Sequence, residues 1–474
     1  MSHRDSRKIP LAGNAKALQQ ALQLLFTGAV FATISFRGDC QWTPQGLCAA
    51  AMLWACSGEL TLTERWGQAR RIAPVMVRGQ KLVTVSYQAF LTLLKRWTDR
   101  LRDVLLGALR KRIPALFPGL YRLYGFVVFA TDGSRIDLPR TRSHEAVYSP
   151  AKYRPGSLKR QHRKNKAARR AHRQRQRARR RSCRSQATRE RQGRTPLMWV
   201  TTLWHVTTGL AWNWRLGPSD SSERAHLCEM LSSLPENSLI IGDAGFVGYD
   251  FLKSILDAGQ NLLARVGANV RLLRKLGVVD ESSQTVYLWP EGARRKQQPP
   301  LVLRLIVLHD GRQPVYLVTN VLSRRQLSES QVADLYRRRW GIELFYRHLK
   351  QTFGRAKLRS HNAENAEVEM HWSLLGLSVM VLNGVSELQQ ADIAPSRLSV
   401  SALLKAFRST MTHYRLDPDR GESLRARLRA AVIDSYQRTH KASRSYPRKH
   451  TETPAGAPLI TIATKSQHQL AAEL

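Results

Sequence analysis

Apolar positions divide the chain into a helical start, a strand-rich middle and a helical end. From about Ala15 to Leu120, Ala17, Leu18, Ala21, Leu22, Leu24 and Leu25 recur at helix-like spacing, and Leu91 to Leu109 carries a second such pattern. Pro114 and Pro118 break the run. Phe126 to Ala130 is a short run rich in aromatic and β-branched residues that leads into Asp132-Gly133, which predicts a buried strand ending in a turn. Leu197 to Val206 and Leu210 to Leu216 predict two further strands, and Ser221 to Leu234 a helix. Leu239 to Asp243 reads as another buried strand ending at a carboxylate, followed by a helix from Tyr249 to Ala258 and a strand from Asn261 to Val266. Asn269 to Val318 alternates in strand fashion around Tyr287, Trp289, Val302, Leu305 and Val315, with Pro and Gly between. Ser328, Glu329 and Ser330 place hydroxyls and negative charge at the start of a long helix that Gly354 would stop. A helix from about Asn365 to Leu388 and a basic one from Ser401 to Tyr436 follow. Beyond Arg438 the polar chain, with Pro447, Pro454 and Pro458, predicts a loose tail.

A length of 474 residues with 43% hydrophobic content is enough for a sizeable core and suggests two or three domains. The balance of charge narrows the partners. Lys and Arg number 76 against 35 Asp and Glu, a formal net charge of +41. Such a chain seeks a polyanion, and charge alone leaves nucleic acid, an anionic membrane and an acidic protein open. Residues 152–194 hold nineteen Lys and Arg against Glu190 alone, without apolar periodicity, so burial cannot drive their folding and a basic arm is expected. The five cysteines, Cys40, Cys48, Cys56, Cys183 and Cys228, form no Cys-x-x-Cys pair, which argues against a disulfide framework or zinc ribbon. Met1 to Lys16 is polar, and no apolar run is read as approaching a membrane span, so the expected location is cytoplasmic with no membrane partner.

Asp132 and Asp243 each follow a short apolar run, which would bring both carboxylates to one edge of a sheet if the strands are neighbours. Asp-Gly and Gly-Asp are ordinary turn pairs, so neither is diagnostic alone. In the long helix, Tyr336, Arg339, Glu343 and Lys350 fall within an arc of roughly 60° at the helical repeat. Leu335, Ile342, Phe345, Leu349 and Phe353 cluster on an adjacent arc, the face that packs on a sheet. The polar stripe reads either as a chemical flank or as a solvated row of ion pairs, although one acid among many bases is an odd way to build the latter. Three converging carboxylates without a His or Cys cluster suit Mg²⁺, with Mn²⁺ as the alternative. Two such ions can activate an attacking oxygen and stabilise the leaving one in an in-line displacement at phosphorus. Arg339 and Lys350 would then grip phosphates, and Tyr336 would bond a phosphate or stack on a base.

Tyr336-x2-Arg339-x3-Glu343-x6-Lys350 is similar to the Tyr-Arg-Glu-Lys signature of insertion sequence family four, the cut-and-paste DDE transposases. The string from Leu335 to Glu343 also resembles that family, as do Thr131-Asp132-Gly133-Ser134 and Ile241-Gly242-Asp243-Ala244-Gly245-Phe246. The resemblance runs from roughly Tyr121 to Leu388. It implies an α/β, ribonuclease-H-like mixed sheet flanked by helices, with a β-rich insertion near 269–314. Asp132, Asp243 and Glu343 would be the catalytic residues, holding two ions. The implied partners are double-stranded DNA, as terminal inverted repeats and target, and a second copy in a synaptic dimer on the bacterial nucleoid. In some members an aromatic in the insertion holds a flipped base; Trp289 is the candidate here, against a plain sheet-packing role.

The expected division is a helical, terminal-repeat-binding region over 1–120, a catalytic domain over 121–388, and a basic helical region with a loose tail over 389–474. The arm at 152–194 departs from the family pattern. An inactive transposase descendant that binds DNA as a repressor is the rival reading, and an RNA-associated protein rests on charge alone.

Overall fold

A computed structural model describes residues 12–474 except 38–39, 41, 78–84, 152–194, 280–281, 310–312, 419–421 and 434–455; the basic arm therefore lies outside the described residues. Four helices come first: α1 (Gly13–Gln23), α2 (Pro44–Cys56), α3 (Leu62–Met76) and α4 (Tyr87–Leu116). Ser86 caps α4 by accepting from the Ala89 N–H, and its buried stripe runs Phe90, Leu94, Leu101, Leu105, Leu109 and Ile113. Trp66 stacks on Phe90 at 4.1 Å between ring centres, with Trp42 and Trp54 packed around the pair.

A ten-stranded sheet follows, in the order β10-β6-β7-β8-β9-β5-β4-β1-β2-β3. Its strands are β1 (Val127–Asp137), β2 (Leu197–His205), β3 (Leu210–Gly217), β4 (Ser238–Gly242), β5 (Asn261–Val266), β6 (Arg271–Arg274), β7 (Thr285–Leu288), β8 (Leu301–Leu308), β9 (Val315–Thr319) and β10 (Leu459–Ile462). β1, β2 and β3 form an antiparallel meander, while β4 lies parallel to β1 and β5 parallel to β4. The flanking helices are α5 (Arg142–Tyr148), α6 (Glu223–Met230), α7 (Tyr249–Asp257), α8 (Glu329–Arg338), α9 (Gly341–Arg347), α10 (Ala363–Gln390), α11 (Val400–Thr412), α12 (Leu424–Arg429) and α13 (Lys465–Ala472). The α10 helix is the spine between layers: it packs on α2 and α4 on one side and on β3 on another.

The structure refines the sequence pattern at several elements. β1 does not end at Asp132-Gly133 but continues to Asp137, because Gly133 to Asp137 keep pairing with β2. The stretch at 269–314, expected to be β-rich, holds β6, β7 and β8, which extend the same sheet through β9, itself paired antiparallel with β5. The tail is not loose throughout: β10 adds a parallel edge strand beside β6, and α13 follows it. The basic helix expected over Ser401–Tyr436 is two helices, α11 and α12. Finally, α10 is long and apolar enough to cross a membrane, contrary to the expectation of no such run, and its apolar stretch is wholly buried inside the protein. Enclosure by other helices and the sheet accounts for its apolar surface on all sides.

Candidate active site

The pairing of β1 with β4 sets the site. Ala130 lies opposite Ile241 in the last parallel pair, so two residues further on Asp132 and Asp243 leave the pairing in step. Both carboxylates thus arrive at one edge of the sheet, as their sequence positions predict. Asp132 remains held by β2, opposite Thr202, and its Oδ1 accepts from the Gly133 N–H at 2.9 Å. Asp243 caps a tight turn over Ala244–Phe246, its Oδ1 accepting from the Gly245 N–H at 2.7 Å. The glycines on either side let this turn close: a Cβ on Gly242 would stand 2.8 Å from Cβ of Phe246, and one on Gly245 2.9 Å from Oδ1 of Asp243.

Glu343 reaches the same edge from α9. The expected single helix is jointed. At Arg339 and Trp340 the backbone bonds tighten to i−3, with Ile342 N–H donating to Arg339 O and Glu343 N–H to Trp340 O, and past α9 a π-helical turn spans His348–Thr352. Lys350 lies in that π turn, within range of the charges of Asp137 and Asp132. The joint lets Gly341 press against β2, where a Cβ would lie 2.7 Å from Cζ3 of Trp204. Tyr346 pins α9 in place. Its buried hydroxyl is 2.8 Å from the carbonyl oxygen of Asp132, 3.0 Å from that of Val200 and 3.1 Å from Thr202 Oγ1. The helix carrying Glu343 is thereby tied to the strand carrying Asp132. Tyr346 was counted with neither the apolar nor the polar stripe in the sequence pattern; an aromatic beside core residues gives no sign of that bond.

Arg339 is 6% exposed and pairs with Glu343 at 3.3 Å, while its guanidinium lies 5.6 Å from the Tyr336 ring centre and 5.2 Å from that of Trp340. Its Nε is buried without a hydrogen-bond partner among the described residues. Trp289 is a correction. It is 3% exposed, and its indole N–H donates to Gln298 O at 2.7 Å, so the ring packs the sheet and offers no open face to a base.

The electrostatics show how closely the acids are grouped. Burial raises the Asp132 carboxyl to about 6; the Gly133 N–H and Arg339 pull it down, while Asp243 and Glu343 push it up. Glu223, at the start of α6, is raised to about 7 by burial and then by the charges of Asp132 and Asp243, with Arg135 and Arg224 opposing. Sequence reasoning did not select this fourth acid. Burial lowers the Lys350 ammonium, while Asp137 and Asp132 hold it up. Among the described residues no three His, Cys, Asp or Glu side chains are gathered tightly enough to enclose one ion. The acids feel one another's charge without meeting at a point. Their donor set is carboxylate oxygen throughout, which fits hard divalent ions that keep waters and take further oxygens from phosphate.

One consequence is a pH-dependent loss of stability without metal. Folded Asp132 keeps its proton up to about pH 6, whereas an ordinary aspartate releases it near 3.8, so stability falls as pH rises through that window. Asp132→Asn removes the loss. In EDTA its melting temperature should exceed that of the wild type by about 2 °C or more at pH 8 and match it at pH 4. Melting curves that stay parallel from pH 4 to 8 would refute the raised carboxyl.

The family described as Transposase DDE domain matches residues 125–378, more than half of the chain and the whole span from β1 into α10. Over 275 residues the chain is 27% identical to transposase InsG for insertion sequence element IS4 of Escherichia coli (strain K12), covering 56% of this chain and 60% of that protein. The chain thus spans about 60% of the length of this relative. A cryo-EM structure of the piggyBac transposase synaptic complex with hairpin DNA aligns over 94% of this chain and 90% of that one, at 11% identity and a TM-score of 0.41. The chain belongs to the DDE-domain transposases, and within them it is similar to those of insertion sequence family four.

Proposed function

We propose that this protein is an active transposase that cuts its element's ends and joins them to target DNA by two-metal-ion phosphoryl transfer. The observation that carries the reading is the register that brings Asp132 and Asp243 out of their strands in step, with Tyr346 holding the Glu343 helix against Asp132. In this reading β3-β2-β1-β4-β5 is a ribonuclease-H-like core. Asp132, Asp243 and Glu343 hold two Mg²⁺, or Mn²⁺, and the ions supply Lewis acidity at phosphorus and an activated water or 3′-hydroxyl. The residues of the chain do the positioning. Arg339, buried with an unpaired Nε, and Lys350 hold the phosphate beside the scissile bond, and Tyr336 supports the Arg339 guanidinium from its ring face.

The remaining surface serves the DNA. The helical region over 1–120 reads the terminal inverted repeats, the region over 389–474 adds basic surface, and two copies join the ends in a synaptic dimer on the bacterial nucleoid. The nineteen Lys and Arg of 152–194 grip phosphates without reading sequence.

Two measurements test this. With the element's end sequence in Mg²⁺, Asp132→Ala, Asp243→Ala and Glu343→Ala should each lower strand cleavage by at least about 100-fold while duplex binding persists. Undiminished cleavage in any of them removes that residue from the chemistry. Deleting 152–194 should weaken binding to a random duplex by about tenfold or more at 0.1 M salt and flatten the dependence of log K on log salt, because fewer counterions are released. An unchanged slope would take the arm off the DNA.

A further inference from the structure

Helices α2 and α3 form a helix–turn–helix pair whose turn, residues 57–61, is held from several sides. Arg408 of α11 donates from Nε to Cys56 O at 3.1 Å, Arg65 donates from Nε to Glu59 O at 3.0 Å, and Ser57 Oγ donates to Gln68 at 2.7 Å. The Trp54 indole N–H donates to Leu62 O at 3.0 Å and ties the two helices together. Residues 46–56 of α2 are all buried, so this helix serves the core. Its partner α3 turns Arg65, Trp66, Ala69, Ile72 and Ala73 inward and leaves Thr63, Gly67, Arg70 and Arg71 exposed or half-exposed on its outer face. Glu64 on that side is turned back to cap, accepting from the Thr61 N–H at 2.9 Å.

Gly67 marks this face. Its backbone is helical and a Cβ there would meet nothing within 4 Å, so neither a left-handed conformation nor packing calls for glycine, which weakens a helix relative to alanine. A bare stretch of helix admits another molecule close to its backbone. The charge beside it is positive. Burial pushes the Arg65 guanidinium down to about 9, with Arg355, Arg359 and Arg408 pressing the same way and Glu369 opposing. Glu369 is itself engaged by the Arg359 and Ser360 N–H groups and the Ser360 hydroxyl. Lys357 and Arg359 are exposed; Lys357 is bridged to Asp137 at the end of β1, and Arg359 stands near enough to Glu64 and Arg65 to act on their charges. Counted along β1 and across this bridge, Arg359 lies within about 30 Å of Asp132, less than one turn of B-DNA at about 34 Å.

We propose that α3 enters the major groove of the element's terminal repeat, presenting Thr63, Gly67, Arg70 and Arg71 to base edges, while Lys357 and Arg359 hold the backbone between that groove and the cutting edge. The inference rests on the proposed reading of the terminal repeats by the N-terminal region and names the face that does it. An α-helix fits the major groove, where arginine distinguishes guanine from the other bases. Lysine and arginine on phosphates add grip without sequence.

The test is binding of the full-length chain to two duplexes at one salt concentration, the element's end and a random sequence. The wild type should prefer the end by about tenfold or more. Arg71→Ala and Gly67→Leu should each cut that preference by about fivefold or more while changing affinity for the random duplex by less than about threefold. Neither should lower the melting temperature, and Gly67→Leu should raise it. If both variants keep the wild-type preference, α3 does not read bases and the inference fails alone. Equal loss on the two duplexes would make this face a phosphate grip and overturn it as well. A wild type that binds both duplexes alike would overturn the inference together with the reading beneath it.

Discussion

Several acids must be kept close together, against their own repulsion, by a scaffold that does not yield. The parallel pairing of β1 with β4 supplies the first constraint, because a slip of one residue would turn either aspartate to the opposite face. Val127 to Ala130 and Leu239 to Ile241 are buried, so the register is fixed by core packing and not by the acids themselves. Burial raises Asp132, and the charges of Asp243 and Glu343 raise it further. A site strained in this way is prepared for divalent cations, whose binding relieves the repulsion and releases the retained protons.

Glu343 comes from far along the chain and needs a second constraint. The Tyr346 hydroxyl provides it by reaching the backbone of Asp132, and Arg339 and Gly341 complete the fit of the jointed helix on the sheet. Beyond this contact Arg355, fully buried, continues the connection. It donates to Ser373 Oγ in α10, to Phe353 O and to Ala55 O in α2. The N-terminal helices and the segment that follows the Glu343 helix are thus joined through one hydrogen-bonded guanidinium, between the region proposed to read DNA ends and the acids proposed to cut them.

Much of this was legible in the sequence, and the limits have physical causes. Short runs such as Leu239–Ile241 declare themselves because both faces of those strands are buried. Asp132 and Asp243 could be paired as candidates because each follows such a run, and Glu343 stood out as one acid in a basic stripe. The second half of β1 was hidden because Gly133, Ser134, Arg135 and Asp137 leave Ile136 as one apolar residue, too little to announce a strand that pairing with β2 extends. The helical joint was hidden because the apolar pattern of Leu335, Ile342, Phe345, Leu349 and Phe353 runs across it without a break. Leu459 to Ile462 is too short to announce an edge strand inside a proline-marked tail. Glu223 looked like any first-turn acid, and only the fold shows that it lies against Gly133. Trp289, legible as an aromatic in the insertion, turns inward because its indole finds Gln298.

The shared-ion arrangement is tested most directly by crystals of the protein grown with Mn²⁺ and a DNA duplex, with the ions located by anomalous scattering. Peaks about 2.0–2.3 Å from carboxylate oxygens of both Asp132 and Asp243, with Glu343 completing the second ion's shell, are the expected result. Ordered Mn²⁺ elsewhere, with DNA seated at this edge of the sheet and no ion touching Asp132 or Asp243, would contradict it.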